Sequence, residues 1–196
     1  NQTSKNSEFE NYLKRLGYNF KNENNETGGY VIFKNKKLAL AMDLGSTPDK
    51  KFSKDYQSGA LSFEIISNNK KLICNSGYFQ NYKHQLNNIS KTTACHSTLC
   101  VGNHSSVQFV KQFDSLTKIG SLLKIFNKEV ISKDNYWSVS ASHDGYNKRF
   151  GIIHNRKIDF SHESQKFIGT DTIFKRKKFK SINFEVRFHI APESKV

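Results

Sequence analysis

The residues most able to do chemistry in this sequence are histidines set in short polar strings. The densest string is Thr93-Ala94-Cys95-His96-Ser97-Thr98-Leu99-Cys100-Val101. Over residues 95–101 the alternation predicts a strand, with Cys95, Ser97, Leu99 and Val101 on one side and His96, Thr98 and Cys100 on the other. The imidazole therefore sits on the more polar face. Two strings upstream, Gln57-Ser58-Gly59-Ala60-Leu61-Ser62-Phe63-Glu64 and Ile73-Cys74-Asn75-Ser76-Gly77-Tyr78, are also strand-like, so three segments can converge on one site. Further on, Ala141-Ser142-His143-Asp144-Gly145-Tyr146 and Arg149-Phe150-Gly151-Ile152-Ile153-His154-Asn155-Arg156 predict a turn and a strand. His143, Tyr146, Arg149, His154 and Arg156 would there form a surface on which arginine offers a two-pronged grip on a carboxylate.

These strings, with Arg187-Phe188-His189 near the end, resemble in order and spacing the C-terminal β-sandwich domain of heparinase II/III-like polysaccharide lyases, relatives of oligoalginate lyases. The resemblance runs over residues 29–192. It implies an antiparallel β-sandwich that packs against an N-terminal α/α toroid, with an acidic polysaccharide in the cleft between them. The implied reaction is β-elimination at a uronic acid, and the main catalytic tyrosine, asparagine and histidine belong to the toroid, which this chain lacks. No catalytic residue is expected within this chain, and the isolated domain is expected to be inactive. For substrate binding the resemblance implies His96, His143, Tyr146, Arg149, His154 and Arg156. His189 is read as structural, and His84, His104 and His162 gain no assigned partner.

In the family a histidine from a His-x-His segment joins the cleft, and a divalent metal is held by the second histidine, an aspartate and the histidine of the Ala-x-His motif. Here those positions carry Asp55, Gln57, Asn75 and His96, so only His96 matches. One imidazole and two amides are poor ligands for zinc, which prefers His, Cys and carboxylate. The metal is expected to be lost and the degenerate site at Gln57, Asn75 and His96 to be a hydrogen-bonded replacement. The competing reading is a non-catalytic module that holds an anionic glycan. On the lyase reading the resemblance implies a bacterial cell envelope or periplasm.

Thirty-one Lys and Arg against seventeen Asp and Glu leave a formal charge of +14, which raises the local concentration of anionic partners. Nucleic acid draws on that charge alone, and no helix-turn-helix or aromatic RNA-binding signature accompanies it. The basic run Lys175-Arg176-Lys177-Lys178 is read as an exposed turn. Cys74, Cys95 and Cys100 are odd in number and lack paired spacing, which argues against a disulfide framework or a structural zinc module. No apolar run is long enough to span a membrane. The three Asn-x-Ser/Thr matches, at Asn25, Asn88 and Asn103, are discounted because asparagine is so common here.

The elements that must position these residues are short. Residues 1–28 read as a linker or docked arm, with a helical possibility at 7–16, and residues 29–196 as one all-β domain, an antiparallel sandwich that the end of the chain truncates. Hairpins are predicted at 30–44, turning at Asn35-Lys36, and at 61–75, turning at Asn68-Asn69. Residues 78–92 read as a polar loop, 102–134 as irregular strands, and 136–143, 150–155, 157–161, 166–174 and 182–190 as further strands.

Overall fold

The structure is a computed structural model that describes residues 11–13, 15–17, 25–111, 117–176 and 181–194. Of the helix expected at 7–16, residues 11–13 and 15 are helical; residues 7–10 and 14 lie outside the described residues, as do Lys177 and Lys178 of the basic run. Among the described residues no helix is long and apolar enough to cross a membrane.

Two antiparallel sheets dominate. The first contains β1 (Glu26–Thr27), β2 (Tyr30–Lys34), β3 (Leu38–Asp43), β4 (Phe63–Ser67) and β5 (Lys70–Ile73), neighbours in that order. A separate pair joins β6 (Leu99–Val101) to the late strand β13 (Phe184–Val186), and another joins β7 (Phe109–Lys111) to β8 (Thr117–Ile119). The second large sheet orders β12 (Lys166–Lys175), β11 (Ile152–Ser161), β10 (Tyr136–His143) and β9 (Ile125–Lys133).

Local chemistry explains the first sheet. Asn35 Oδ1 accepts from the Lys37 and Leu38 N–H groups, an Asx turn that reverses the chain between β2 and β3. Asn68 and Asn69 both adopt positive φ between β4 and β5, a geometry that asparagine tolerates and tight hairpins need. Period-two alternation then buries Val31 and Phe33 of β2, Leu38, Leu40 and Met42 of β3, and Phe63 and Ile65 of β4. From the facing sheet come Trp137, Val139 and Ala141 of β10 and Ile158 and Phe160 of β11, which complete one core. This is a sandwich, as the sequence predicts. Phe33 stacks on Trp137 with ring centroids 5.3 Å apart, and Trp137 meets Phe160 at 5.1 Å, so the aromatic contact bridges the layers.

Four elements differ from the sequence reading. The strand expected at 95–101 is a 3-10 turn, Thr93–Cys95, then extended residues, then β6. Hydrogen bonding overrides alternation there: the Thr93 hydroxyl donates inward to the Ser58 carbonyl at 2.7 Å and the His96 N–H donates back to Thr93 O. The loop at 78–92 contains a helix, α1 (Gln85–Ser90), capped by His84 Nδ1, which accepts from the Leu86 N–H. The two strands expected at 150–161 are one, because β11 pairs without a break along β12; a short helix, α2 (Asn147–Phe150), precedes it. The strand expected at 182–190 is β13 alone, with a separate bridge between Ile73 and Ile190. All three cysteines are free.

Trp137 is nearly fully buried at the centre of the aromatic bridge. Trp137→Ala is expected to lower unfolding stability by about 3–5 kcal/mol in urea titrations, whereas Leu122→Ala, at an exposed position, should change it by less than about 0.5 kcal/mol.

Candidate functional site

Because β2, β3 and β4 give their apolar side chains to the core, their alternate residues face outward. Tyr30 lies directly across from Asp43, and Ala41 across from Glu64, so Tyr30, Asp43 and Glu64 give a polar floor around Ala41. Over it opens a cleft of about 600 Å³ whose walls include Asp55, Tyr56, Gln57, Asn75, Tyr78 and His96. The three segments expected to converge do so here.

His96 is 4% exposed, and its ring is fixed from both sides. Its Nδ1 lies 2.8 Å from the Thr92 carbonyl, which can only accept, so Nδ1 carries the proton and Nε2 presents a lone pair. Gly59 is needed beside it, because a Cβ there would sit 2.6 Å from His96 Cδ2. Burial pushes the pKa of His96 down, against the opposing pull of the Thr92 carbonyl, so the ring is neutral at neutral pH.

Gln57 and Asn75 share the cleft with His96, but the three do not bond to one another. Asn75 Oδ1 accepts from the Ser97 N–H at 2.8 Å, and its Nδ2 donates to Ser62 at 3.3 Å. What remains for a metal is one imidazole nitrogen and a neutral amide. Among the described residues no three His, Cys, Asp or Glu side chains are grouped to hold an ion, so these residues do not fit the divalent metal that the resemblance implies.

Burial drives Asp43 up to about 6 from 3.8, although the Gly45 N–H and the charge of Lys128 pull the other way. Asp55 behaves oppositely. It accepts from Tyr82 at 2.8 Å and Tyr78 at 2.9 Å, and these bonds, Tyr82's first, hold its pKa down despite burial. Buried Lys91 has its pKa lowered by desolvation and donates to the Lys54 carbonyl at 2.6 Å.

The other expected site residues lie elsewhere. His143, Tyr146, His154 and Arg156 are interior, each no more than 1% exposed, so at these positions there is no solvent-facing surface to meet a sugar. The reason is a closed hydrogen-bond network. Arg156 Nε and Nη2 grip the two oxygens of Asp171 at 2.8 and 3.0 Å, and Nη1 donates to the carbonyls of Leu61 at 3.0 Å and Ser97 at 2.7 Å. The Gly145 N–H donates to His143 Nδ1, which leaves Nε2–H to donate to His154 Nδ1 at 3.1 Å; His154 Nε2–H then donates to Asp171 at 2.6 Å. Both imidazoles are neutral, their pKa values lowered first by burial. Burial pushes Asp171 up, yet the bonds from His154 and Arg156 and the guanidinium charge outweigh it and hold the carboxyl at about 2. Tyr146 donates its hydroxyl to Leu99 O at 2.9 Å. Arg149 alone of the set is exposed, over the Phe150 ring in a separate groove that His96 does not line. His189 is structural in its bonding, with its ring at 3.0 Å from the Ala94 carbonyl.

Asp171 and Asp43 are the residues that sequence reasoning missed. Asp171 is the one carboxylate of β12 and falls directly across from Arg156, a cross-strand pair that register, not spacing, reveals. Asp43 ends a run of apolar alternation in β3, and that position was the available signal.

A family model described as heparinase II/III-like, C-terminal, matches residues 22–196. Among solved structures, heparan sulfate lyase HepC from Pedobacter heparinus aligns with a TM-score of 0.59 and 15% identity, over 87% of this chain and 27% of that one. A structure titled heparinase III aligns with a TM-score of 0.53 and 18% identity, over 76% of this chain and 22% of that one. A heparinase III gene product gives 0.57 and 17%, over 75% and 21%. The chain thus spans about a quarter of the length of the structures it matches, and at these identities the likeness is one of fold. No curated protein matches it.

Replacing Arg156 by Met strands the Leu61 and Ser97 carbonyls and removes two of the three hydrogen bonds to Asp171, and is expected to cost about 3–5 kcal/mol in urea unfolding. Acid titration separates the groups by sign. His96, His143 and His154 have folded pKa values below the ordinary 6.5, so the unfolded chain binds more protons and their stability contribution is lost as pH falls below 6.5. Asp43, raised to about 6, opposes them by adding stability between pH 6 and 3.8, and Asp171 contributes stability that is lost only below 3.8. Urea midpoints from pH 7 to 4 should therefore fall more steeply in Asp43→Asn than in the unaltered chain.

Proposed function

The chain belongs to the heparinase II/III-like, C-terminal family, and we propose that it is the β-sandwich of a polysaccharide lyase that cleaves uronic-acid-containing acidic polysaccharide by β-elimination. In that reaction a base takes the C5 proton, the C–H electrons form the C4–C5 double bond, and the C4–O bond breaks with a proton delivered to the leaving oxygen. The observation that carries the reading is the His96 cleft, an open concavity on the polar face of the sheet with a buried imidazole whose one free nitrogen is an acceptor.

Residues of this chain do part of that work. His96 Nε2 can hold a substrate hydroxyl, and Tyr30 and Gln57 add donors in the same cleft. Neutralising the uronate as charge develops at C5 needs cations or strong donors, and the cleft lining offers no Lys or Arg among the described residues. We assign that step, with the proton transfers, to an α/α toroid elsewhere in the protein, and we place the protein in the bacterial cell envelope or periplasm where such polymers occur. The amides at Gln57 and Asn75 favour a second reading, a module that binds the glycan without chemistry.

The deciding assay follows the ultraviolet absorbance of the unsaturated uronate product with the full-length protein and a panel of acidic polysaccharides. Turnover is expected, indifferent to a chelator, with kcat/KM lowered about tenfold in His96→Gln, the loss of one hydrogen bond to the substrate. Binding to one polysaccharide without turnover on any would replace the lyase reading by the binding module.

A further inference from the structure

The cleft carries a charge opposite to that of the chain. Asp43, Asp55 and Glu64 line it, and no Lys or Arg does among the described residues, in a chain of formal charge +14. The neighbouring ammonium groups, whose charges reach Asp43 and Asp55 from outside the lining, make their direct contacts with other groups. Lys128 Nζ pairs with Glu26 at 2.7 Å, Lys91 donates to the Lys54 carbonyl, and Lys54 Nζ stands 4.2 Å from the centre of the Tyr82 ring.

What Asp43, Glu64 and His96 present to a ligand in this cleft is a set of acceptors. Asp43 Oδ1 takes the Gly45 N–H and Glu64 Oε1 takes the Asn75 N–H, which leaves Oδ2 and Oε2 without a hydrogen-bond partner among the described residues. The two carboxylates flank one another on the floor, since Asp43 lies on β3 two residues beyond Ala41, the cross-strand neighbour of Glu64. Independently of them, the His96 ring is 96% buried by its 4% exposure and keeps Nε2 unpartnered while lining the same cleft. The buried Tyr56 hydroxyl in the wall also lacks a partner among the described residues.

A site of this kind repels sulfate and carboxylate and favours a cation that brings several N–H donors. A divalent metal fits it poorly, because no three ligating side chains are grouped for a coordination shell among the described residues. A primary ammonium fits: it needs no closed coordination shell, so it can donate to one or two of these acceptors, a carboxylate oxygen or the imidazole nitrogen, and leave its remaining N–H to water. We propose that the His96 cleft seats the unsubstituted ammonium group of an amino sugar, and that the substrate class is therefore a polysaccharide bearing both uronic acid carboxylates and free amines. This rests on the reading of the cleft as the glycan-facing surface of a lyase.

The test is isothermal titration of the full-length protein with three matched oligosaccharides of uronic acid and glucosamine, whose amine is free, N-acetylated or N-sulfated. The free-amine form is expected to bind about tenfold more tightly than the N-acetylated one, the effect of one charge-assisted hydrogen bond, and the N-sulfated form most weakly. Asp43→Asn, which keeps the Oδ1 acceptor for Gly45, and Glu64→Gln should each collapse that preference. Equal or tighter binding of the N-acetylated or N-sulfated form overturns the ammonium site while leaving the lyase reading intact, as does a preference that survives both substitutions. Binding to none of the three overturns the ammonium site, while the lyase reading is decided separately by the ultraviolet assay. Heat from calcium chloride alone that disappears in Asp43→Asn would make the site one for a metal cation and overturn the proposal.

Discussion

The Arg156 guanidinium is the contact on which the rest of the structure depends. Its side chain leaves β11, takes Asp171 from β12 with a two-pronged grip, and spends its remaining Nη1 donors on the carbonyls of Leu61 and Ser97. Leu61 has positive φ and stands between Gly59 and Ser62, and Ser97 follows His96. One buried cation therefore ties the second sheet to the two segments that build the cleft wall. A buried ion pair of this kind adds little stability compared with apolar packing, yet losing one partner leaves the others uncompensated in a low dielectric. It specifies which backbone meets which, and so fixes where the imidazole points.

That role explains why the sequence was legible at one level and misleading at another. The sandwich was readable, since short apolar runs at 31–33 and 38–42 and the alternation of Trp137, Val139 and Ala141 with serines mark strands, and the turn asparagines punctuate them. Convergence of the segments around Gln57, Asn75 and His96 was readable as well. Burial of the second group was not. His154 and Arg156, two positions apart, and His143 on the preceding strand look the same in sequence whether they face solvent or a carboxylate from the next strand, and the deciding residue, Asp171, arrives through strand register alone. The 3-10 turn before His96 was hidden for a related reason: Thr93 reads as an ordinary strand residue until its hydroxyl finds Ser58, 35 positions earlier.

The two histidine sites then differ by what closes them. His143 and His154 pass their hydrogen bonds from the Gly145 N–H to Asp171 with nothing left over, so the chain ends inside the protein. His96 is nearly as buried but anchors only Nδ1, and the space beyond Nε2 is kept open by Gly59 and by the amide of Asn75 being engaged with Ser62 and Ser97. Burial alone does not mark a functional histidine; an unspent polar atom beside an open volume does.

Charge follows the same division. The lysines that give the chain its excess of positive charge can draw a polyanion toward it over the distance at which salt has not yet screened them, about 8–10 Å. At contact range the sign reverses, because Asp43, Asp55 and Glu64 meet whatever enters the cleft. An anionic polymer would be held along the outside and would be admitted only where its local charge is cancelled, by a donor of its own or by cations from another part of the protein. The same acceptor-rich wall that orients a hydroxyl or an ammonium cannot stabilise an enolate-like uronate, which needs positive charge close by. In a lyase built on this sandwich, positioning of the sugar and stabilisation of the developing charge are tasks of two different surfaces, and only the first belongs to this cleft.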